Sequence, residues 1–93
     1  MAKPWDDPKD PEEVLDYVID WTLPLAGDTI VSSVWQLPED TDLICGEETF
    51  TPTTCTIWLS GGTAGKDYAL INTITTAAGR TREQTGKLRC RTK

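Results

Sequence analysis

The chain has 93 residues, a formal net charge of −6 and no histidine. This length suits one domain with a single core, and no apolar run approaches the roughly 20 residues that a membrane helix needs. The acidic balance disfavours nucleic-acid binding, and the absence of imidazole removes the commonest general base and metal ligand. The composition therefore lowers the expectation of an enzyme or a metal site, without excluding catalysis by carboxylates, lysine or cysteine, and we expect no small-molecule substrate and no nucleic-acid or membrane partner.

Residues 1–13 are predicted to form an extended acidic arm, and residues 14–93 the folded domain. Pro4, Pro8 and Pro11 lie among five acidic side chains in this arm. Each proline fixes φ and removes a backbone donor, and the charge density opposes burial. Trp5 is the exception, and it either anchors the chain to a neighbouring surface or lies as a flap over its own domain. The arm has no apolar stretch typical of a secretory signal, so we expect synthesis in the cytoplasm.

From residue 14 the apolar side chains recur with a period of two, which is typical of half-buried strands. Strands are predicted at 15–21, 29–37, 43–45, 55–59 and 67–76, with a last strand after the turn at 77–80. Turn residues separate them at short intervals, and no segment has the helical spacing needed for a βαβ unit. The pattern predicts an all-β fold, an immunoglobulin-like or fibronectin-type antiparallel β-sandwich of about seven strands.

The side chains predicted for the core share the inward-facing parity of these strands. They are Tyr17, Trp21, Trp35, Ile57, Leu59, Tyr68, Leu70, Ile74 and Leu88. Trp35 suits the aromatic at the centre of such a core. Tyr68 suits the tyrosine at the start of the penultimate strand, which packs over the preceding corner and hydrogen-bonds backward. Trp58 has the opposite parity and is predicted to face outward.

The last strand carries a row of basic side chains on one face, formed by Lys87, Arg89 and Arg91 and continued by Lys93. Such a row either protects an exposed sheet edge from unwanted pairing or binds an acidic neighbour. Residues 1–48 hold thirteen acidic and two basic side chains, whereas residues 49–93 hold two acidic and seven basic ones. Copies of the chain could therefore associate head to tail, unless folding mixes the two halves. Trp5, Trp58 and the basic row are the candidate subunit contacts.

The three cysteines leave several arrangements open. Cys45 and Cys55 flank a predicted hairpin and could form an internal disulfide, with Cys90 as the odd thiol that could cross-link copies. Against this, Cys55 and Cys90 have the parity of Ile57 and Leu88, which favours buried thiols. Cytosolic synthesis also argues against a disulfide framework formed during folding.

Two stretches of the sequence resemble a known family. They are Lys9-Asp10-Pro11-Glu12-Glu13-Val14-Leu15-Asp16-Tyr17 through Trp21 to Trp35, and Trp58-Leu59-Ser60-Gly61-Gly62-Thr63-Ala64-Gly65 through Tyr68, Leu70, Asn72 and Ile74 to Thr81. Together they resemble the short immunoglobulin-like proteins encoded among the tail and neck genes of tailed phages, often labelled fibre–tail adaptors. The three cysteines depart from that pattern.

The resemblance implies a virion structural protein without cofactor or catalytic residues, made in the host cytoplasm. Its partners would be other copies of itself and other phage structural proteins, at the neck, collar or tail or where fibres join the tail. Two other functions stay open, a capsid decoration (cement) protein and a carbohydrate- or receptor-binding module. The outward-facing Trp58 is the feature that supports the last of these.

Overall fold

The computed structural model describes residues 8–39 and 41–92. Within them the period-two segments form six strands and one short helix. The strands are β1 (Leu15–Asp20), β2 (Ile30–Gln36), β3 (Leu43–Phe50), β4 (Thr54–Gly61), β5 (Asp67–Thr76) and β6 (Thr81–Arg89), and the helix is α1 (Thr22–Leu25).

The strands form two three-stranded sheets, with the orders β1-β4-β3 and β2-β5-β6. All four strand pairs are antiparallel, so the prediction of an all-β fold with antiparallel sheets is confirmed. If β1 to β6 are compared in chain order with strands B to G of a constant-type immunoglobulin domain, each strand has the same neighbours in its sheet. The immunoglobulin-like assignment itself stays a prediction. An isolated parallel bridge between Lys9 and Cys90 adds a further short stretch of pairing.

The register places the apolar side chains of both sheets between them. In the first sheet Tyr17 lies opposite Ile57, and in the second Tyr68 lies opposite Leu88. Because alternate strand residues point to opposite faces, the inward set forms one continuous core. All nine side chains named above for the core are buried there, together with Ile19, Leu25, Ile30, Leu43, Cys55 and Cys90.

Two elements differ from the sequence prediction. The first strand ends at Asp20, whose carboxylate accepts hydrogen bonds from the backbone N–H and the hydroxyl of Thr22 and so opens α1. That helix ends at Ala26, which adopts the left-handed conformation with φ 50°. The third strand continues to Phe50, because the polar residues after Cys45 form a bulge within the strand and not a loop.

The N-terminal segment joins the sandwich before the predicted boundary at residue 14. Lys9 donates its backbone N–H to the carbonyl of Arg89, and its own carbonyl accepts from the N–H of Arg91. A turn follows, in which Asp10 accepts from Glu12 and Glu13. The first seven residues of the predicted arm, including Trp5, lie outside the described residues.

Candidate interaction surfaces

The two sheets carry different charges. Strands β1 and β3 contribute four carboxylates to the first sheet, and none of its three strands holds a basic residue. Strand β6 contributes Arg82, Lys87 and Arg89 to the second sheet, against two acidic residues in β5 and β6. The charge asymmetry between the two halves of the sequence is therefore partly kept in the fold, as a difference in charge between the acidic first sheet and the second sheet.

Trp58 lies near the middle of the outer face of the first sheet, because β4 is the central strand. It is 38% exposed, and Ile44 on the neighbouring strand is 62% exposed. Asp16 of β1 lies directly opposite Trp58. A Cβ at Gly46 would come within 3.3 Å of the Trp58 Cβ, so a residue without a side chain lets the two strands approach here. We call Asp16, Ile44 and Trp58 the Trp58 face.

The basic row lies on the second sheet, away from the Trp58 face. Lys87 and Arg89 are exposed on β6, which is an edge strand. Arg91 follows the strand, and its guanidinium pairs with the Asp67 carboxylate at 3.0 Å. Trp58 and the basic row therefore belong to different sheets and form two surfaces, and Trp5, the third candidate contact, lies outside the described residues.

An open groove runs between the edge strands β1 and β6, with a volume of about 840 Å³. Its wall from the first sheet is formed by Val18, Ile19 and Asp20. The other wall comes from β5 and from residues 84–89 of β6. Gly86 lies in this wall and is buried, although it belongs to an edge strand.

Lys9 holds the N-terminal segment against both sheets. Its side chain is fully buried, and the ammonium donates to the carbonyl oxygens of Asp10 at 2.9 Å and Gly61 at 2.7 Å. Burial lowers the pKa of Lys9, because desolvation disfavours the charged form, while nearby acidic groups oppose this shift. The buried ammonium has a structural role, because removing it would leave both carbonyl oxygens without this hydrogen-bond donor and would destabilise the attachment of the segment.

Tyr68 joins the same end of the sandwich. Its hydroxyl accepts from the backbone N–H of Thr63 at 2.9 Å and donates to the Asp42 carboxylate at 2.6 Å. Thr63 also donates its hydroxyl to Asp42. These bonds, first from Thr63 and then from Tyr68, lower the pKa of Asp42. Burial, followed by the Asp42 bond, raises the pKa of Tyr68. The arrangement ties the segment before β3 to the corner between β4 and β5.

All three cysteines are free thiols, so the internal Cys45–Cys55 disulfide, one of the arrangements left open by the sequence, is not supported. The register places Cys45 opposite Leu59 and Cys55 opposite Phe50, so the two sulfurs are not cross-strand neighbours. Cys55 and Cys90 are buried, and Cys45 is exposed. Burial raises the pKa of Cys55 and Cys90. Partial desolvation and the neighbouring Glu48 raise the pKa of Cys45 to about 11.

Residues 8–39 and 41–92 contain no cluster of three or more His, Cys, Asp or Glu side chains that could hold a metal ion. No helix in that part of the chain is long and apolar enough to span a bilayer.

Sequence reasoning missed several structurally important polar residues. Lys9 falls within the predicted acidic arm, and Asp42 precedes the predicted strand at 43–45. Neither position indicates a buried partner, because the partners lie 52 and 26 positions away. Asn72 has inward parity, which was visible, but its role as partner of the Trp21 indole was not. The one usable signal was a polar residue at a core position of an alternating strand, since such residues need a buried partner.

These features define a small antiparallel β-sandwich with an acidic, aromatic face on one sheet and a basic edge on the other. Residues 9–89 match the family described as podophage GP4 fiber-tail adaptor protein gp77. The match covers most of the chain, and the chain belongs to this family. The resemblance seen in the sequence is thereby confirmed. A search of curated proteins finds no match.

Proposed function

We propose that this chain is a structural subunit of a tailed-phage virion that links fibres to the tail. The observation that carries this function is the family match over residues 9–89, because the family is one of phage fibre–tail adaptors. Such a protein works by binding, so the proposal includes no catalytic step. Its partners are the tail and fibre proteins of the particle.

The Trp58 face is the first proposed contact surface. A half-exposed tryptophan near the centre of a sheet face is typical of binding hot spots, since one large side chain can contribute 2 kcal/mol or more once it is desolvated. The exposed Ile44 enlarges the apolar area, and Asp16 adds negative charge at its border. This surface suits a partner with an apolar pocket and basic residues around it.

The basic row is the second proposed contact surface, and it allows several copies to assemble. Lys87 and Arg89 are opposite in charge to the carboxylates of the other sheet. A contact between the basic row of one copy and the Trp58 face of the next would be heterologous, and it would close into a ring if the rotation permits. Opposite charges on the two surfaces also disfavour contacts between identical faces.

Complementation of a phage that lacks this gene tests the function. Particles would be produced with the unaltered chain, with Trp58→Ala or with Lys87→Glu/Arg89→Glu, then purified and imaged. Leu23→Ala is the matched control, because Leu23 is 91% exposed in α1 and belongs to neither surface. We expect both surface variants to fold but to give particles that lack the chain and their fibres, whereas the control restores complete particles.

The same images separate the other functions. Particles with fibres in place but fragile or undecorated heads would indicate a capsid decoration protein instead. Complete particles that fail only to adsorb would indicate a receptor-binding module, and glycan binding by the purified chain that Trp58→Ala abolishes would support it. Complete, infectious particles without this chain would contradict a structural role.

A further inference from the structure

We propose that the cavity between the loop after α1 and the turn from β5 to β6 binds a carboxylate on an acidic peptide segment of a partner protein. The groups that bind it are the guanidiniums of Arg80 and Arg82, and we call the cavity the arginine pocket. Neither residue belongs to the Trp58 face or to the basic row. The inference concerns binding by the folded domain alone, so it does not depend on the adaptor function.

The arginine pocket lies at one end of the sandwich and has a volume of about 520 Å³. Sites for small ligands typically have volumes of about 300–1,000 Å³. Residues 24–28 form one wall, and the other wall comes from the end of β5, the turn and the start of β6. Arg82 lies seven positions before Arg89 on β6, which corresponds to about 23 Å at roughly 3.3 Å per residue. The pocket is therefore separate from the basic row.

The pocket carries a positive charge that the described residues do not neutralise. Its charged lining residues are Arg80, Arg82 and Asp28. The Asp28 side chain is only 8% exposed and pairs with Arg80 at 3.1 Å. It also accepts from the backbone N–H groups of Thr29 at 2.8 Å and Ala78 at 3.2 Å. In residues 8–39 and 41–92 no carboxylate forms a salt bridge with Arg82, so one positive charge is left for a ligand.

Both guanidiniums are held in place before a ligand binds. Arg80 donates one N–H to Asp28, and Arg82 donates one to the Pro24 carbonyl at 3.2 Å. A guanidinium has five N–H donors in a planar fork that matches the two oxygens of a carboxylate, so most of these donors stay available. The Arg80 side chain is 64% exposed, and a ligand can reach it. Because the long side chains are already fixed, less conformational entropy is lost on binding.

The loop wall adds a backbone donor and an apolar contact. Gly27 lines the pocket, and its N–H makes no hydrogen bond to the residues that the structure describes. The residue before it, Ala26, is the one non-glycine residue among them with a positive φ, at 50°, and strained backbone of this kind clusters at ligand-binding sites. Leu25 also lines the pocket and is buried. A side chain with methylene groups below its carboxylate can pack against it.

A carboxylate suits this pocket better than a phosphate. A phosphate group carries about −1.5 to −2 charges at pH 7, whereas the pocket has one unneutralised positive charge. The buried Asp28 carboxylate in the same wall repels a second anion, and this repulsion grows with the charge of that anion. One glutamate or aspartate side chain balances the remaining charge.

NMR titration of the purified full chain at constant ionic strength tests the site. The probe is the blocked peptide acetyl-Gly-Glu-Gly-amide, and its matched control has glutamine in place of glutamate. The reporters are the Nε–H signals of Arg80 and Arg82 and the backbone N–H of Gly27. We expect the glutamate peptide to shift all three signals saturably. The glutamine peptide, acetate and inorganic phosphate should each need at least about 10-fold higher concentrations for the same shift.

Two pairs of variants locate the binding. Arg82→Gln should weaken the glutamate peptide at least about 10-fold, whereas Lys87→Gln, which removes one charge from the same strand outside the pocket, should change the affinity less than about 2-fold. Ala78 lines the pocket and is exposed. Ala78→Glu should place a carboxylate in the pocket, shift the Arg80 and Arg82 signals without peptide and block the titration, and Ala78→Gln should do neither.

Several results would overturn the proposal. They are unchanged Arg80 and Arg82 signals at the highest peptide concentration, equal responses to the glutamate and glutamine peptides, and equal losses in Arg82→Gln and Lys87→Gln. Tighter binding of phosphate would mean a general anion site, and equally tight binding of acetate would mean that a protein side chain is not the ligand. If Arg82→Gln unfolds the domain, the two Ala78 variants decide. Failure of this titration leaves the complementation result unaffected, so the two proposals are tested separately.

Discussion

Because Trp21 and Asn72 are in buried contact, substitutions of the two residues should have non-additive effects on the free energy of unfolding. The Trp21 indole N–H donates to the Asn72 amide oxygen at 2.9 Å. The Asn72 amide nitrogen donates to the Ser33 hydroxyl at 3.0 Å and to the Val34 carbonyl at 3.2 Å. Asn72 is fully buried in β5, the central strand of its sheet, and so it joins Trp21, which directly follows β1 of the other sheet, to β2.

Asn72→Leu keeps a branched side chain but removes three hydrogen bonds. Each is worth about 1 kcal/mol net, and the indole N–H left unpaired in the core costs about 1–3 kcal/mol. Improved apolar packing offsets part of this, so we expect the free energy of unfolding to fall by about 2–4 kcal/mol. Trp21→Phe alone leaves the amide oxygen unpaired and creates a cavity, which adds its own cost.

The double variant distinguishes the hydrogen bond from packing. Once Asn72→Leu has removed the acceptor, Trp21→Phe removes the unpaired indole N–H, so the pair should cost about 1–2 kcal/mol less than the sum of the single changes. Trp58→Phe with Asn72→Leu is the control, since Trp58 lies on the outer face of the other sheet. Urea unfolding followed by far-ultraviolet circular dichroism measures all five variants. Additivity of the Trp21 pair within about 0.5 kcal/mol would refute the coupling.

Three further predictions follow from single residues. Gly61→Ala should lower the free energy of unfolding by more than about 2 kcal/mol, and Gly65→Ala should lower it by less. Both glycines have positive φ, but only at Gly61 would a Cβ lie 2.8 Å from the Asp42 carbonyl oxygen. Thermal unfolding of the two variants compares their stabilities. In the native chain iodoacetamide should alkylate only Cys45, because the other two thiols are buried, and the reaction should be slow at pH 8 because the pKa of Cys45 is about 11. Glu48→Gln should speed the alkylation by removing the adjacent carboxylate, and mass spectrometry of the labelled chain gives the rates for both proteins. Because the pKa of Asp42 is lowered, its carboxylate stabilises the fold at pH values above the ordinary pKa of 3.8, and this contribution is lost as the pH falls through the lowered pKa. Denaturant unfolding at a series of pH values should therefore show that the free energy of unfolding falls less steeply at acid pH in Asp42→Asn than in the unaltered chain. An unchanged pH profile would contradict this.

The sequence was sufficient to predict the strands and which side chains face the core. Period-two alternation is a local property, so Tyr17, Ile57 and Leu88 could be assigned to the interior without knowing their partners. The helix α1 was not predicted, because its four residues are too few to show a helical period. The strand β3 was predicted too short, since a bulge hides the alternation between Cys45 and Glu48.

The polar contacts could not be predicted in the same way. Lys9 is buried because the ends of two strands meet around it, and nothing in residues 1–13 distinguishes it from a solvated lysine. Tyr68 was expected to bond backward to its corner, but its second partner, Asp42, precedes β3 and is brought near only by the strand order. Contacts between residues distant in sequence depend on register, and register is set by the whole set of paired strands.

The parts of the domain that hold the fold together are separate from the surfaces proposed for assembly. Lys9 and Asn72 lie in the interior and join segments of both sheets, whereas Trp58 and Lys87 point outward from opposite sheets. Substitutions at the outward positions remove little buried area, and surface changes usually alter stability by less than about 0.5 kcal/mol. An assembly defect in such a variant can therefore be attributed to a lost contact, provided that its unfolding transition is unchanged. The reverse holds for Lys9 and Asn72, whose substitution should lower stability first and reduce incorporation only through the smaller folded fraction.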